Sequence, residues 1–438
     1  MKQETGCEVP VQLLPQLVQE LSLSSQQQLE AATKIRKMLN VDENPPIQEV
    51  IDAGVVPLLL QFLRRNEQSE ASARLHLEAT RALTTITGDA EQIAYVVQQD
   101  ALPLLVDLLV SPSAEVQEQA VWAIGNIAGH SQDCRDQTLA HNIIAGVLPL
   151  CQQEQKQSLQ RTAIWMLGTL CRGKPIIPLD VARNVLPTLS QLSSSGDDEV
   201  LADTLWALAS LSDGPNHYTE AVLGTGVMPR VVDLLSHASG SVVTPALTVT
   251  VNVAKAPSDQ ARECLISTGV LSAIRPLLQS QKRRLRKDAC VALTHIAGGP
   301  AQHLQAIAEA GLFPALIDIV GSAEVEVRRE AAAALANAVS GTRLDLTTLL
   351  VQGNCLPALA ETVQSSDATL QKCSMDAVEA IVRCGARHAG AAANPFEPYL
   401  TSVGIRDIVS EVASSSAASG EVRAAAQRVL DMTAPEEK

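Results

Sequence analysis

At 438 residues with a formal net charge of −15, the chain is long enough for two or three ordinary domains or for one repeat solenoid. Its acidity argues against nucleic acid or an anionic membrane as partner and favours basic partners. Aromatic residues make up only 2% of the chain, which suits closely stacked helices built from Leu, Ala and Val.

Met1 to Pro10 is short and polar and reads as a flexible N-terminus. From Val11 to Leu39 the apolar residues recur at helical spacing, with Leu13, Leu14, Leu17, Val18 and Leu21 on one side, so this segment is expected to be a capping repeat. Asn44-Pro45-Pro46 breaks the pattern. After it each unit follows one plan. An opening of the form (A)G-x-x-P stands at Gly54, Asp100, Gly146, Asn184, Gly226, Gly311 and Asn354. The proline fits the first turn of a helix. The plan has a short helix starting there, a second apolar helix, a polar loop, and a third helix ending at Gly88, Gly129, Gly173, Gly214, Gly298 or Gly341.

The third helix gives the period. Arg81, Trp122, Trp165, Trp206, Thr248, Val291 and Ala333 occupy one repeat position, in steps of 41, 43, 41, 42, 43 and 42 residues. Three helices in about 42 residues is the armadillo plan, with the two-helix HEAT repeat as its near alternative. The expected fold is an all-α, right-handed superhelical solenoid of about ten armadillo repeats. Its expected parts are a flexible 1–10, a capping repeat over about 11–52, central repeats over about 53–353, C-terminal repeats over about 354–432 and a flexible 433–438. Ser414 to Ala418 is expected to be loose as well.

In such a stack the third helices line one surface like rungs. The chain has three tryptophans, and Trp122, Trp165 and Trp206 all fall at one repeat position. Parallel indoles one repeat apart form slots for the stems of Lys or Arg; packing between repeats is the plainer role. Four residues on stand Thr85, Asn126, Thr169, Ser210, Asn252, His295 and Asn337, a polar row in which an asparagine can bond a peptide's backbone N–H and C=O together. Three residues before the tryptophan position stand Glu78, Gln119, Thr162, Asp203, Pro245, Asp288 and Glu330, four of them acidic.

These residues resemble the importin-α family, the armadillo adaptors that carry cargo with basic nuclear localisation signals. Trp122-Ala123-Ile124-Gly125-Asn126-Ile127-Ala128-Gly129 is similar to the family's W-A-L-G-N-I-A-G, and Leu211-Ser212-Asp213-Gly214-Pro215-Asn216 to its L-S-D-G-P-N. The resemblance places Gln119, Trp122, Asn126, Trp165, Asp203 and Trp206 in the major signal-binding site. It places Thr244, Asn252, Glu330 and Asn337 in the minor one. Arg81, Val291 and Ala333 stand where the family has Trp, and Thr85, Thr169 and His295 where it has Asn. Gly129-His130 replaces a G-D whose aspartate grips the key lysine, and Arg81 is expected to repel a lysine entering beside Trp122. The minor site is therefore expected to be degraded, and one short basic cluster to be preferred over a bipartite signal.

The implied function is a nuclear import adaptor binding basic peptide or protein cargo, as a monomer, in cytoplasm and nucleus. The alternative is an armadillo scaffold derived from importin-α that binds another peptide or protein. Importin-β stays open as a partner, because Met1 to Glu20 holds one lysine and no arginine where the family has a basic arm. No nucleic acid, membrane, cofactor or metal is expected. No apolar run reaches about 18 residues. The eight histidines do not cluster, and no phosphate-cradling loop or nucleophile triad is present, so no enzyme is expected. The nine cysteines are scattered without a C-x-x-C and read as reduced, buried, structural thiols. The basic run Lys282 to Lys287 reads either as a solvated loop and helix start or as a site for an acidic partner.

Overall fold

The computed structural model describes residues 9–41, 44–64, 70–88, 90–152, 155–341, 343–389 and 393–434. Among these residues every regular element is a helix, and the fold is an all-α solenoid of armadillo repeats. The chain divides into two compact units, one running to Leu211 and the other from Ser212.

The long rung helices of the first unit are Ser25–Leu39, Glu70–Ile86, Ala114–His130, Gln157–Cys171 and Asp198–Ser212, the last reaching the boundary. Those of the second are Gly240–Lys255, Arg283–Ala297, Val325–Ser340, Ala368–Ala389 and Gly420–Met432. Successive rungs pack side by side within each unit. Their buried residues are mostly small or branched. In the Trp122 helix they include Ala120, Val121, Ala123, Ile124, Ile127 and Ala128, all at most 4% exposed. Alanine at such positions lets helix axes approach closely, so each repeat buries its apolar face against its neighbours.

The recurrent glycine of the sequence is an elbow, not an opening. The first helix of a repeat ends at it and the second begins just after it, as in Ile47–Asp52, Gly54 and Val55–Leu63. The elbow residue has positive φ: Gly54 76°, Asp100 57°, Asn142 55°, Gly226 72°, Gly269 85°, Gly311 62°, Asn354 69° and Gly404 69°. Only glycine enters this region without strain, and Asn and Asp enter it most readily among the others. In the third repeat the elbow is Asn142, not Gly146, which lies inside the helix Ile143–Val147. Gly269 is an elbow with no proline after it, so the G-x-x-P pattern misses it. Asn184 lies inside the helix Leu179–Leu192.

The third-helix glycines also differ from expectation. Gly129 is inside the helix Ala114–His130, whose last turn runs into the extended Ser131. Gly298 and Gly341 follow their helices at φ −75° and −74°, so neither forms a left-handed cap. Gly173 alone of the six has a positive φ, 106°.

The segment Arg172 to Pro178 carries no helix, so that repeat has two helices, Leu179–Leu192 and Asp198–Ser212. The cap begins with a short turn at Val11–Leu13 and the helix Leu14–Glu20; Leu14, Leu17 and Leu21 are buried, whereas Leu13 is 40% exposed. Residues 1–8 and 435–438, which hold most of the two expected flexible termini, and Cys7 with them, lie outside the described residues. Ser414 closes the helix Ile405–Ser414, residues 415–419 carry no helix, and Ala418 among them is buried.

The basic run lies on its neighbours. Arg286 donates to the Ser280 carbonyl and to both oxygens of Glu324 at 2.6 Å, and Arg283 stands 3.4 Å from Glu326. Arg284 is 3.5 Å from Asp288. The run thus fastens its helix to the acidic start of the next rung, in keeping with a solvated helix start. Of the described cysteines none is in a disulfide, and burial pushes the thiols of Cys151, Cys171, Cys290 and Cys355 up to about 12. Such thiols are not nucleophiles.

Candidate peptide-binding ladder

The best-kept rung is the helix Ala114–His130. Ser113 caps it, its hydroxyl accepting from the Val116 N–H at 3.4 Å. Burial of Val121, Ala123 and Ile124 turns Trp122 outward, and its indole is 45% exposed. Trp165 and Trp206 are half-buried.

Asn126 sits four residues on from Trp122, and its Nδ2 donates to the Thr84 carbonyl of the preceding rung at 3.4 Å. The Thr84 hydroxyl shares its one hydrogen between the Thr80 carbonyl of its own helix at 2.9 Å and the Gln119 carbonyl of the next rung at 3.1 Å. The same stitch recurs in the second unit. Asn337 Nδ2 donates to the Thr294 carbonyl at 2.9 Å, and the Thr294 hydroxyl donates to the Glu330 carbonyl at 2.8 Å. Asn252 is buried and donates to the Ser212 hydroxyl at 3.3 Å. One amide hydrogen of each asparagine is therefore spent on the neighbouring rung. For Asn126 and Asn337 the Oδ1 and a second N–H remain for a ligand. The hydroxyls that replace asparagine close on their own helices: Thr85 on Arg81, Thr169 on Trp165 and Ser210 on Trp206, at 3.2, 3.0 and 2.9 Å.

Thr84 and Thr294 stand three residues after the tryptophan position, a position the sequence reading did not single out. Where that position is Gly125 the neighbour differs too. A Cβ at Gly125 would lie 2.3 Å from Trp165 Cζ3 and 2.9 Å from its Cη2, so the benzo edge of Trp165 rests on the Gly125 backbone. Two rung junctions thus alternate in chemistry: threonine meets asparagine, and glycine seats an indole. Gly125→Ala is expected to lose about 1–3 kcal/mol by overpacking and to displace the Trp165 ring. A thermal melt followed by tryptophan emission checks both; an unshifted emission maximum with unchanged stability would contradict the seating.

Of the acidic row in the first unit, Asp203 is half-buried on the helix Asp198–Ser212. Burial raises its carboxyl above the ordinary value of 3.8; the Arg172 guanidinium pulls the other way, and Glu199 adds to the rise. Glu78 accepts from Arg36 Nε at 2.6 Å. Arg81 lies 3.7 Å from both Glu78 and Glu115, so it is held by two carboxylates rather than standing as a bare positive charge. The acidic helix start Asp197-Asp198-Glu199 engages Arg161, with Asp197 accepting from Arg161 Nε at 2.8 Å and Glu199 2.6 Å from Arg161 Nη1. In the second unit Thr244 back-bonds to the Gly240 carbonyl at 2.8 Å, and Glu330 is half-buried. Burial, then the charges of Lys255 and Arg262, lower the imidazole of His295, which keeps it neutral near pH 7.

Comparison with known proteins agrees with this architecture. The Armadillo/beta-catenin-like repeat family matches residues 43–88, 89–129, 258–298 and 300–340. A HEAT-like repeat matches 157–211, which includes the repeat that lacks its first helix. The chain is 36% identical over 392 residues to importin subunit alpha-1b of Oryza sativa subsp. japonica, covering 88% of this chain and 72% of that protein. The chain belongs to the importin-α family. Importin subunit alpha-8 of Arabidopsis thaliana is 32% identical over 361 residues, covering 82% of this chain and 79% of that one. Importin subunit alpha-2 of Arabidopsis thaliana reaches 46% over 213 residues, 48% of this chain and 39% of that one. A crystal structure of an engineered protein matches with a TM-score of 0.82 and 26% identity, over 96% of this chain and 98% of that one. This importin-α relative is an armadillo-repeat adaptor whose indoles are confined to the first unit.

Proposed function

We propose that this chain is a nuclear import adaptor, active in cytoplasm and nucleus, that holds one short basic cluster of a cargo peptide across Trp122, Trp165 and Trp206. The observation that carries the proposal is the outward, 45% exposed indole of Trp122 beside a half-buried Trp165 on the next rung. Helices packed roughly 8–10 Å apart place a cation between their rings within about 6 Å of both. Gln119 and Asn126 supply polar groups along the same stripe, and Asp203 supplies the carboxylate toward the Trp206 end. In the second unit, which holds Thr244, Asn252, Glu330 and Asn337, the tryptophan positions are Thr248, Val291 and Ala333, and Asn252 is buried. That set is assigned a minor role at most.

The test is a titration of labelled peptides carrying one basic cluster or two clusters joined by a spacer. The expected result is an affinity for the single cluster equal to or above that for the two, because the second cluster gains no indole slot. A bipartite peptide binding tenfold tighter, or no binding of either, would overturn the proposal.

A further inference from the structure

We infer that Arg81 is a register stop, an internal cation that occupies the acidic positions one rung before Trp122 and so decides where a bound basic segment must end. The inference rests on the peptide-binding reading of the ladder. Arg81 holds the tryptophan position of the helix Glu70–Ile86. Its Nη1 lies 3.7 Å from Glu78 Oε1 on its own helix, and its Nη2 lies 3.7 Å from Glu115 Oε2 on the next. Glu78 stands three residues before Arg81, the register at which Asp203 stands before Trp206. The guanidinium therefore sits where a ligand's cation would seek this rung's carboxylates.

The cluster is charge-balanced. Arg36 Nε takes Glu78 Oε2 at 2.6 Å, so Arg36, Glu78, Arg81 and Glu115 alternate in sign and sum to zero. At the other end of the first unit's ladder Asp203 makes no such chain, and its carboxyl is held up by burial. A basic segment is drawn to the Asp203 end and finds both carboxylates engaged at the Arg81 end. Separations of 3.7 Å are Coulombic contacts, not hydrogen bonds, and Arg81 is 36% exposed. Removing it leaves the cluster one negative charge in excess and takes the guanidinium away from the already exposed Glu115.

The experiment uses peptides of fixed length with a three-lysine core, the residue on either flank being Ala, Lys or Glu, titrated against the wild type and Arg81→Gln. The wild type is expected to gain nothing from Lys over Ala at one flank. Arg81→Gln is expected to gain about two- to five-fold from that lysine, the range of an exposed ion pair, and to lose affinity for Glu there. Identical flank profiles in the two proteins would overturn the inference while leaving the ladder reading intact. Failure of the wild type to bind any of the peptides would overturn the ladder reading and this inference together. Arg81→Met, which also removes the charge and keeps the aliphatic stem, reads the same profile should the glutamine variant misfold.

Discussion

Replacing both Trp122 and Trp165 by alanine is expected to weaken binding of a basic peptide roughly 30-fold, less than the product of two independent losses of roughly 1–2 kcal/mol each. The two rings border one slot, so the second loss follows the first on the same ligand cation and the effects are coupled. Stability separates them. Trp122 is 45% exposed, so its removal uncovers little core. Trp165 rests its benzo edge on Gly125, so its removal opens a void at the rung junction. Trp122→Ala is therefore expected to lose affinity with an unchanged melting temperature, and Trp165→Ala to lose both. Peptide titration beside a calorimetric melt distinguishes the cases. If Trp122→Ala binds as the wild type does, the exposed indole is not part of the site.

The contrast between those two tryptophans was not legible in the chain, although their register was. Seven copies at nearly constant spacing identify the repeat, and the Trp122-to-Gly129 stretch identifies the family, because both signals are local. The partners are not local. Asn126 meets Thr84 from 42 residues away, and Asn337 meets Thr294 from 43. A polar row read along the sequence shows every side chain as if it faced a ligand. In the fold, one amide hydrogen of each asparagine goes to the rung before. Arg81 illustrates the same limit for charge. Read alone it repels a lysine; placed between Glu78 and Glu115 it replaces one.

The glycines were misread for a different reason. A glycine recurring once per repeat satisfies several helix-end patterns equally, and the apolar run after it invited a helix start there. The helix that starts there is the repeat's second, and the residue before it is an elbow, since Asp100, Asn142 and Asn354 share the positive φ of Gly54 and Gly226. A position shared by Gly, Asn and Asp is an elbow, where the left-handed conformation is the common requirement. That substitution pattern was present in the openings at Asp100 and Asn354. At Asn142 it was hidden by the nearby Gly146-Val147-Leu148-Pro149, which imitates the motif four residues late.

Asp203→Asn is expected to raise stability and lower binding at the same pH. Burial is the largest influence on this carboxyl and raises its value in the folded chain above 3.8; Arg172 opposes the rise and Glu199 adds to it. A group raised on folding stabilises the fold when protonated, and that contribution is lost as pH climbs through the raised value. At neutral pH the wild type carries a partly desolvated charge that asparagine lacks. Asp203→Asn should therefore melt higher at pH 7, each 1 kcal/mol being worth about 2–4 °C in a unit of this size. The advantage should shrink as pH falls through the raised value toward 3.8. Binding runs the other way. A peptide cation needs the carboxylate, so wild-type affinity should fall as pH drops through the same window, while the variant's stays flat. At pH 7 the variant should bind about 10- to 100-fold more weakly, the worth of a hydrogen bond to a charged group. Paired melts and titrations from about pH 3 to 7.5, a range set by roughly one unit below to several above an aspartate's usual value, check both signs. A destabilised variant with unchanged affinity would mean that Asp203 serves the fold through Arg172 and not the ligand. The opposite signs are the mark of a group whose desolvation is retained for binding: a carboxylate placed for structure alone would be stabilised by its surroundings, whereas Asp203 is held where its charge is disfavoured until a cation arrives.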